Sequence, residues 1–218
     1  LPVQAGLEGG AVSLDGRLVG SDDYDFDDYY GPLLASLQQA MTANGNAGTL
    51  TIGPAGQESK GELGKSGSIL QFKSYAAYVS VHGEAPQEPD FSVIGHELNE
   101  MINGRLPYGK FAHLINHSDS NGYYVPVDFA EPFSFDVASF SGDGTWKCDV
   151  GSSHALLREL DELNKFLQVP GDCGQLNGSA VLDQRIAGDV FEEEKRVWGM
   201  MHWLARESVE RNLLFEFC

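Results

Sequence analysis

Leucines at 156, 157, 160, 163 and 167 follow Ser153 at helical spacing. This stripe is the strongest folding constraint in the chain, because an apolar helix face must be buried against another layer. Ser153 is placed to cap that helix. A second helical period, Val190, Val197, Met201, Leu204 and Ser208, follows Asp189 and Glu192, whose spacing suits a capping box, and it runs to about Asn212. Leu213 to Phe217 then reads as a terminal strand.

Upstream, the elements alternate without a regular βαβ repeat. Val12 to Val19 reads as a hairpin about Asp15-Gly16, and Pro32 to Ala43 as a helix closed by Gly45. Thr49 to Ile52 predicts a short strand, and Gly53 to Ser68 a Gly-rich exposed loop. Ile69 to Val81 has mixed periodicity, with strand expected in its second half. Asp90 or Ser92 caps a helix to about Asn103, ended by Gly104 and Pro107, and Phe111 to Ile115 adds a further helical turn. Val125 to Phe129 and Phe133 to Phe140 read as strands. The expected fold is a single compact α+β domain with a mixed or antiparallel sheet and about four helices. Residues 1–68 form an N-terminal hairpin, helix and Gly-rich extension packed on a main body of residues 69–218.

Composition bears mainly on partners. Lys and Arg number 14 against 32 Asp and Glu, a formal charge of −18 over 218 residues. Such a chain repels phosphate backbones, so nucleic-acid binding through a broad basic face is excluded, and basic surfaces or divalent cations are favoured. No apolar run is long enough for a transmembrane segment. Cys148, Cys173 and Cys218 are widely spaced and lack a CxxC pair, which favours a reducing, cytoplasmic setting. The alternative is a secreted or organellar protein whose N-terminus was processed ahead of Leu1, with a Cys148–Cys173 bridge.

One concentration of acid stands out. Asp22, Asp23, Asp25, Asp27 and Asp28 are interleaved with Tyr24, Phe26, Tyr29 and Tyr30. Aromatic rings supply rigid contact area and carboxylates steer a cationic partner, so this segment is the candidate partner-binding site. A second constellation suggests a divalent cation, zinc or calcium. His96 and Glu100 are four apart, as are His113 and His117, and Asp119 follows, so each pair would face one way from a helix. Glu100 occupies the place of the second His of HExxH, and His117 that of the first Asp in a calcium loop.

Leu114-Ile115-Asn116-His117-Ser118-Asp119-Ser120-Asn121-Gly122-Tyr123 resembles the H-S-D-C-D-G signature of small uncharacterised bacterial proteins. Gly151-Ser152-Ser153 with the following Leu156-Leu157-Arg158-Glu159-Leu160, and Ala205, Ser208-Val209 and Leu214-Phe215, resemble their downstream helix, C-terminal helix and strand. The likeness spans roughly residues 70–218 and implies an architecture and a conspicuous loop rather than a reaction. Ser120 and Asn121 depart from the signature's Cys and second Asp.

No GxSxG elbow is present, and Ser59 stands where a phosphate loop ending at Gly64-Lys65-Ser66 needs glycine. No catalytic residue is therefore named. The favoured function is an acidic binding or accessory protein, immunity-like, engaging a basic protein partner. A metal-dependent hydrolase using the His/Glu/Asp cluster is one alternative. The other is a structural subunit of a larger assembly, docking through Trp203 and the N-terminal segment.

Overall fold

The structure, a computed structural model, describes residues 13–23, 26–46, 48–56, 59–65, 67–119, 122–138, 144–170 and 180–217. Six strands form one mixed sheet: β1 Ser13–Val19, β2 Ser59–Lys65, β3 Tyr123–Val125, β4 Phe133–Ala138, β5 Thr145–Ser152 and β6 Leu214–Phe217. Their spatial order is β2-β1-β6-β3-β5-β4. Only β3 and β5 run parallel, and the other neighbours are antiparallel. Seven α-helices are described: α1 Gly31–Ala43, α2 Ser68–His82, α3 Phe91–Ile102, α4 Ala112–Asn116, α5 Ser153–Leu167, α6 Ala180–Ile186 and α7 Glu192–Arg211. The chain is a single compact α+β domain.

Side chains alternate across the strands, so the sheet builds a core on each face. Leu18, Tyr124, Phe215 and Phe217 point into the larger core, shared with α2, α5 and α7. Val19, Tyr123, Val125, Cys148, Val150 and Leu214 point the other way, where Leu33, Leu37 and Met41 of α1 cover them. Removing β1 would bare the edge of β6, and removing α1 one face of the central strands, so the N-terminal segment is part of the sheet and its cover.

Several local expectations change. Val12 lies outside the described residues, and β1 runs straight through Asp15-Gly16 instead of turning there. Gly16 stands opposite Gly61 on one side and Phe217 on the other. The partner of β1 comes from within the stretch read as a loop, because β2 occupies residues 59–65. Thr49 to Ile52 is not a strand. It is held by Gln38, whose side chain donates to Gly48 O at 3.1 Å and accepts from Leu50 N at 2.7 Å.

Residues 69–81 are helix throughout. Left-handed Gly67 and Gly83 (φ 97° and 70°) flank α2. Its periodicity is blurred because it is buried nearly all round, with Ile69, Phe72, Tyr75, Ala76, Ala77 and Val79 in the core and Lys73 and Ser74 buried beside them. A helix apolar on every side carries no amphipathic signal. Strand β3 ends at Val125, ahead of the expected Phe129, and β5 was not foreseen.

The leucine stripe of α5 is buried as read, apart from the half-buried Leu157, but the cap is Ser152, whose Oγ accepts from Ala155 N at 3.1 Å. Ser153 instead shares a 2.7 Å bond with Ser208 on α7. Trp198 and Trp203 are core residues of α7, and Trp198 donates to Leu160 O at 2.8 Å. Trp203, only 6% exposed, offers no docking surface. Cys148 is a free, buried thiol that burial pushes up to about 12, and Cys173 and Cys218 lie outside the described residues. No described helix is long and apolar enough to cross a membrane.

Candidate functional site

The acidic segment is partly consumed in folding. Asp22 is exposed, yet its carboxylate accepts from the backbone N–H groups of Ala55 and Gly56 at 2.5 and 2.8 Å, which hold it below the ordinary carboxylate range. Asp23 accepts from Gly20 N at 3.0 Å and lies 3.4 Å from Arg17. Phe26 to Tyr30 forms one π-helical turn that leads into α1. Phe26 stacks on Tyr30 at 6.0 Å, and the buried Tyr30 hydroxyl donates to Glu216 at 2.9 Å. Asp27 stays exposed. Tyr24 and Asp25 lie outside the described residues, as do the side chains of Asp28 and Tyr29.

The predicted metal centre does not assemble. His96 is exposed on α3, and Glu100 behind it accepts two 2.6 Å bonds from Arg105, which lower its proton affinity. His113 is buried on α4. Its Nδ1 accepts from Ser152 N at 3.0 Å and its Nε2 donates to Ala130 O at 3.1 Å, so both ring nitrogens are occupied. Burial lowers its proton affinity. His117 does not share a helical face with His113, because α4 ends at Asn116 and His117 is extended (ψ 137°). Asp119 pairs with Lys73. Among the described residues, no group of three or more His, Cys, Asp or Glu is arranged to hold a metal ion.

What the fold brings together instead is a cleft around Lys73. Side chains of α2 (Leu70, Lys73), α3 (Leu98, Ile102), Tyr108, the end of α4 and the 117–119 turn enclose about 390 Å³, with Asp149 of β5 at its polar end. Lys73 is only 4% exposed. Its ammonium donates to His117 O and to Asp119, so a buried charge is paired as burial demands. Asp149 accepts from Ser118 N at 2.9 Å and from the Ser134 hydroxyl at 2.7 Å, which ties the turn to β4 and β5.

The His117 ring stacks on Tyr124 at 4.2 Å with an 11° interplanar angle and meets Phe217 edge-on. Its Nδ1 lies 2.8 Å from Ser118 O, an acceptor, so Nδ1 carries the proton. The buried Nε2 makes no hydrogen bond of good geometry and has the Tyr123 backbone near it. Burial, reinforced by the Lys73 charge and opposed by the Ser118 carbonyl, lowers the His117 pKa to about 4. Gly122 follows at φ 123°, where a Cβ would collide with the Asp149 carbonyl and crowd the His117 ring. Ser120 and Asn121 lie outside the described residues. Sequence reasoning passed over Lys73, although a single ammonium inside the apolar run 69–81 was a usable signal, since lysine is rarely buried without a partner.

Most of the described cations are spent within the chain. Arg17, Lys73, Arg105, Arg158, Lys165, Lys195, Arg196, Arg206 and Arg211 each lie within ion-pair distance of a carboxylate of the same chain. Arg196 alone gathers Asp183, Glu192 and Glu193. Asp27, Glu84, Glu88, Glu131 and Asp136 are exposed, with no described lysine or arginine in ion-pair range. Most of the described cations are thus neutralised internally, and these exposed carboxylates carry excess charge at the surface.

No curated protein and no solved structure matches the chain. A family profile does, over residues 18–217, which takes in all six strands' sheet from Leu18 onward, the Lys73 cleft and the acidic π-helical turn. The chain belongs to the family described as "Putative DNA-mimic protein".

Proposed function

We propose that this protein is a DNA mimic: it occupies the DNA-binding face of a basic protein and offers surface carboxylates where that protein binds phosphates. The observation that carries the reading is the net charge of −18 on a compact domain whose described arginines and lysines are largely paired within the chain. A basic groove binds DNA chiefly through its charge, and that component does not distinguish phosphate from carboxylate. Family membership supports the same reading.

Within the surface, Asp27 and the rest of the Asp22 to Tyr30 segment are assigned to the contact, with Asp22 and Asp23 also fixing its shape. The Tyr30 bond to Glu216 and the Asp22 bonds to Ala55 and Gly56 fix the two ends of this segment, which lowers the ordering cost at binding. The accessory and immunity-like roles fit as consequences, since a protein with its DNA-binding face blocked is inhibited.

The test is competition. Protein immobilised through one terminus is loaded with lysate of its source organism, and bound proteins are eluted in parallel with salt and with a short DNA duplex at constant ionic strength. A basic DNA-binding protein should be released by both, and Asp27→Lys should weaken its capture. Retention indifferent to salt and to duplex DNA would overturn the proposal.

A further inference from the structure

The cleft around Lys73 is absorbed neither by the surface charge nor by the fold alone. Resting on the reading above, we propose that it is a receptor for one arginine or lysine side chain of the basic partner. The aliphatic stem would lie against Leu70, Leu98 and Ile102, and the charged head would reach Asp119.

The cleft has two chemically distinct ends. Leu98 is buried, whereas Leu70 and Ile102 are 38% and 61% exposed, so two large aliphatic side chains stand at the mouth. At the other end, two carboxylates, Asp119 and Asp149, meet one ammonium, Lys73. Asp149 has both oxygens engaged, by Ser134 and Ser118. Lys73 takes one oxygen of Asp119, whose side chain keeps 37% exposure. Acceptor capacity is therefore left over at the second Asp119 oxygen.

An anion entering here would face two carboxylates and the field of a strongly negative protein. A wholly apolar ligand would bury the free Asp119 oxygen without a donor, which is costly. A cation on an aliphatic stem satisfies both ends, in the way that arginine and lysine bury their methylenes and keep the charged tip on a polar group. The volume of about 390 Å³ is ample for one such side chain. A single inserted basic anchor also gives a DNA mimic what diffuse charge does not, a fixed register on its partner.

The probe is agmatine, a guanidinium on an aliphatic amine, titrated into the full chain with methyl resonances as reporters. Saturable shifts are expected at Leu70, Leu98 and Ile102. Ile102→Lys should weaken agmatine by about tenfold or more, whereas Val190→Lys, the same change of charge at another exposed position (60%), should weaken it by less than about twofold. Both sites are solvent-exposed, so neither variant threatens folding.

Methyl resonances that stay put to about 10 mM agmatine would overturn the cleft as a cation receptor, as would equal losses in the two variants, which signal bulk charge alone. Such a result leaves capture by duplex-competed partners standing. Agmatine binding beside partner capture that DNA cannot reverse would instead overturn the DNA-mimic reading, and with it the partner's side chain as occupant.

Discussion

His117 gives the sharpest quantitative prediction, because its environment is nearly closed. His117 is 3% exposed, stacked on Tyr124 and edge-on to Phe217, and lies near the Lys73 ammonium. Its pKa in the folded chain falls to about 4 from the ordinary 6.5. Above 6.5 both folded and unfolded chains hold a neutral imidazole, so His117 adds no pH dependence there. As the pH drops from 6.5 to about 4, the unfolded chain binds a proton that the folded chain refuses, and stability falls. At about 1.4 kcal/mol per pH unit the total loss is about 3 kcal/mol.

Other groups titrate in the same range, so the prediction is a difference. His117→Phe keeps a ring on Tyr124 and removes the titration. Urea unfolding of both proteins from about pH 7 to about pH 4.5 should show the wild type losing about 2 to 3 kcal/mol more than the variant. The variant itself should be less stable at neutral pH, where the Nδ1 bond to Ser118 is missed, and the gap should close on acidification. A direct check is the C2 proton of His117, which should not titrate above about pH 5. Parallel stability curves for the two proteins, or a resonance that titrates near 6.5, would refute the reasoning.

Two further predictions concern groups that shape the site. Burial raises Glu159 to about 8, against the N–H bonds it accepts from His113 (2.9 Å) and Leu114 (2.8 Å). Its folded pKa lies above the ordinary 4.5, so its contribution is full below that value and is lost as pH rises through about 8. Glu159→Gln should remove up to about 5 kcal/mol of that decline, read as the difference in unfolding free energy between mildly acidic and mildly alkaline solution. At Gly20, a Cβ would fall inside contact distance of the Ala55 backbone, part of the irregular segment that Asp22 clasps. Gly20→Ala should cost about 1 to 3 kcal/mol, lowering Tm by several degrees, and should weaken partner capture by distorting the Asp22 to Tyr30 segment.

The elements that were legible in sequence are those whose signal is local. The leucines of α5, the acidic start and long period of α7, and the Asp90 cap of α3, which accepts from Ser92 N at 2.8 Å, need only neighbours a few residues away. The misread elements are those decided by what covers them. Helix α2 lost its periodicity through burial on all sides, and Asp15-Gly16 became mid-strand because β2 and β6 bracket β1. Histidines four apart failed as a pair because α4 stops between them.

The sequence by itself determined the acidity, the α+β class and the amphipathic helices, since charge is additive and helix faces are written in a short period. The division of that acidity between internal ion pairs and bare surface was decided only by tertiary structure, as was the meeting of Lys73 with His117 and Asp119 from 44 and 46 residues away. Pairing of charges depends on distance in space, and burial of one lysine becomes tolerable only when the folded chain delivers its acceptors.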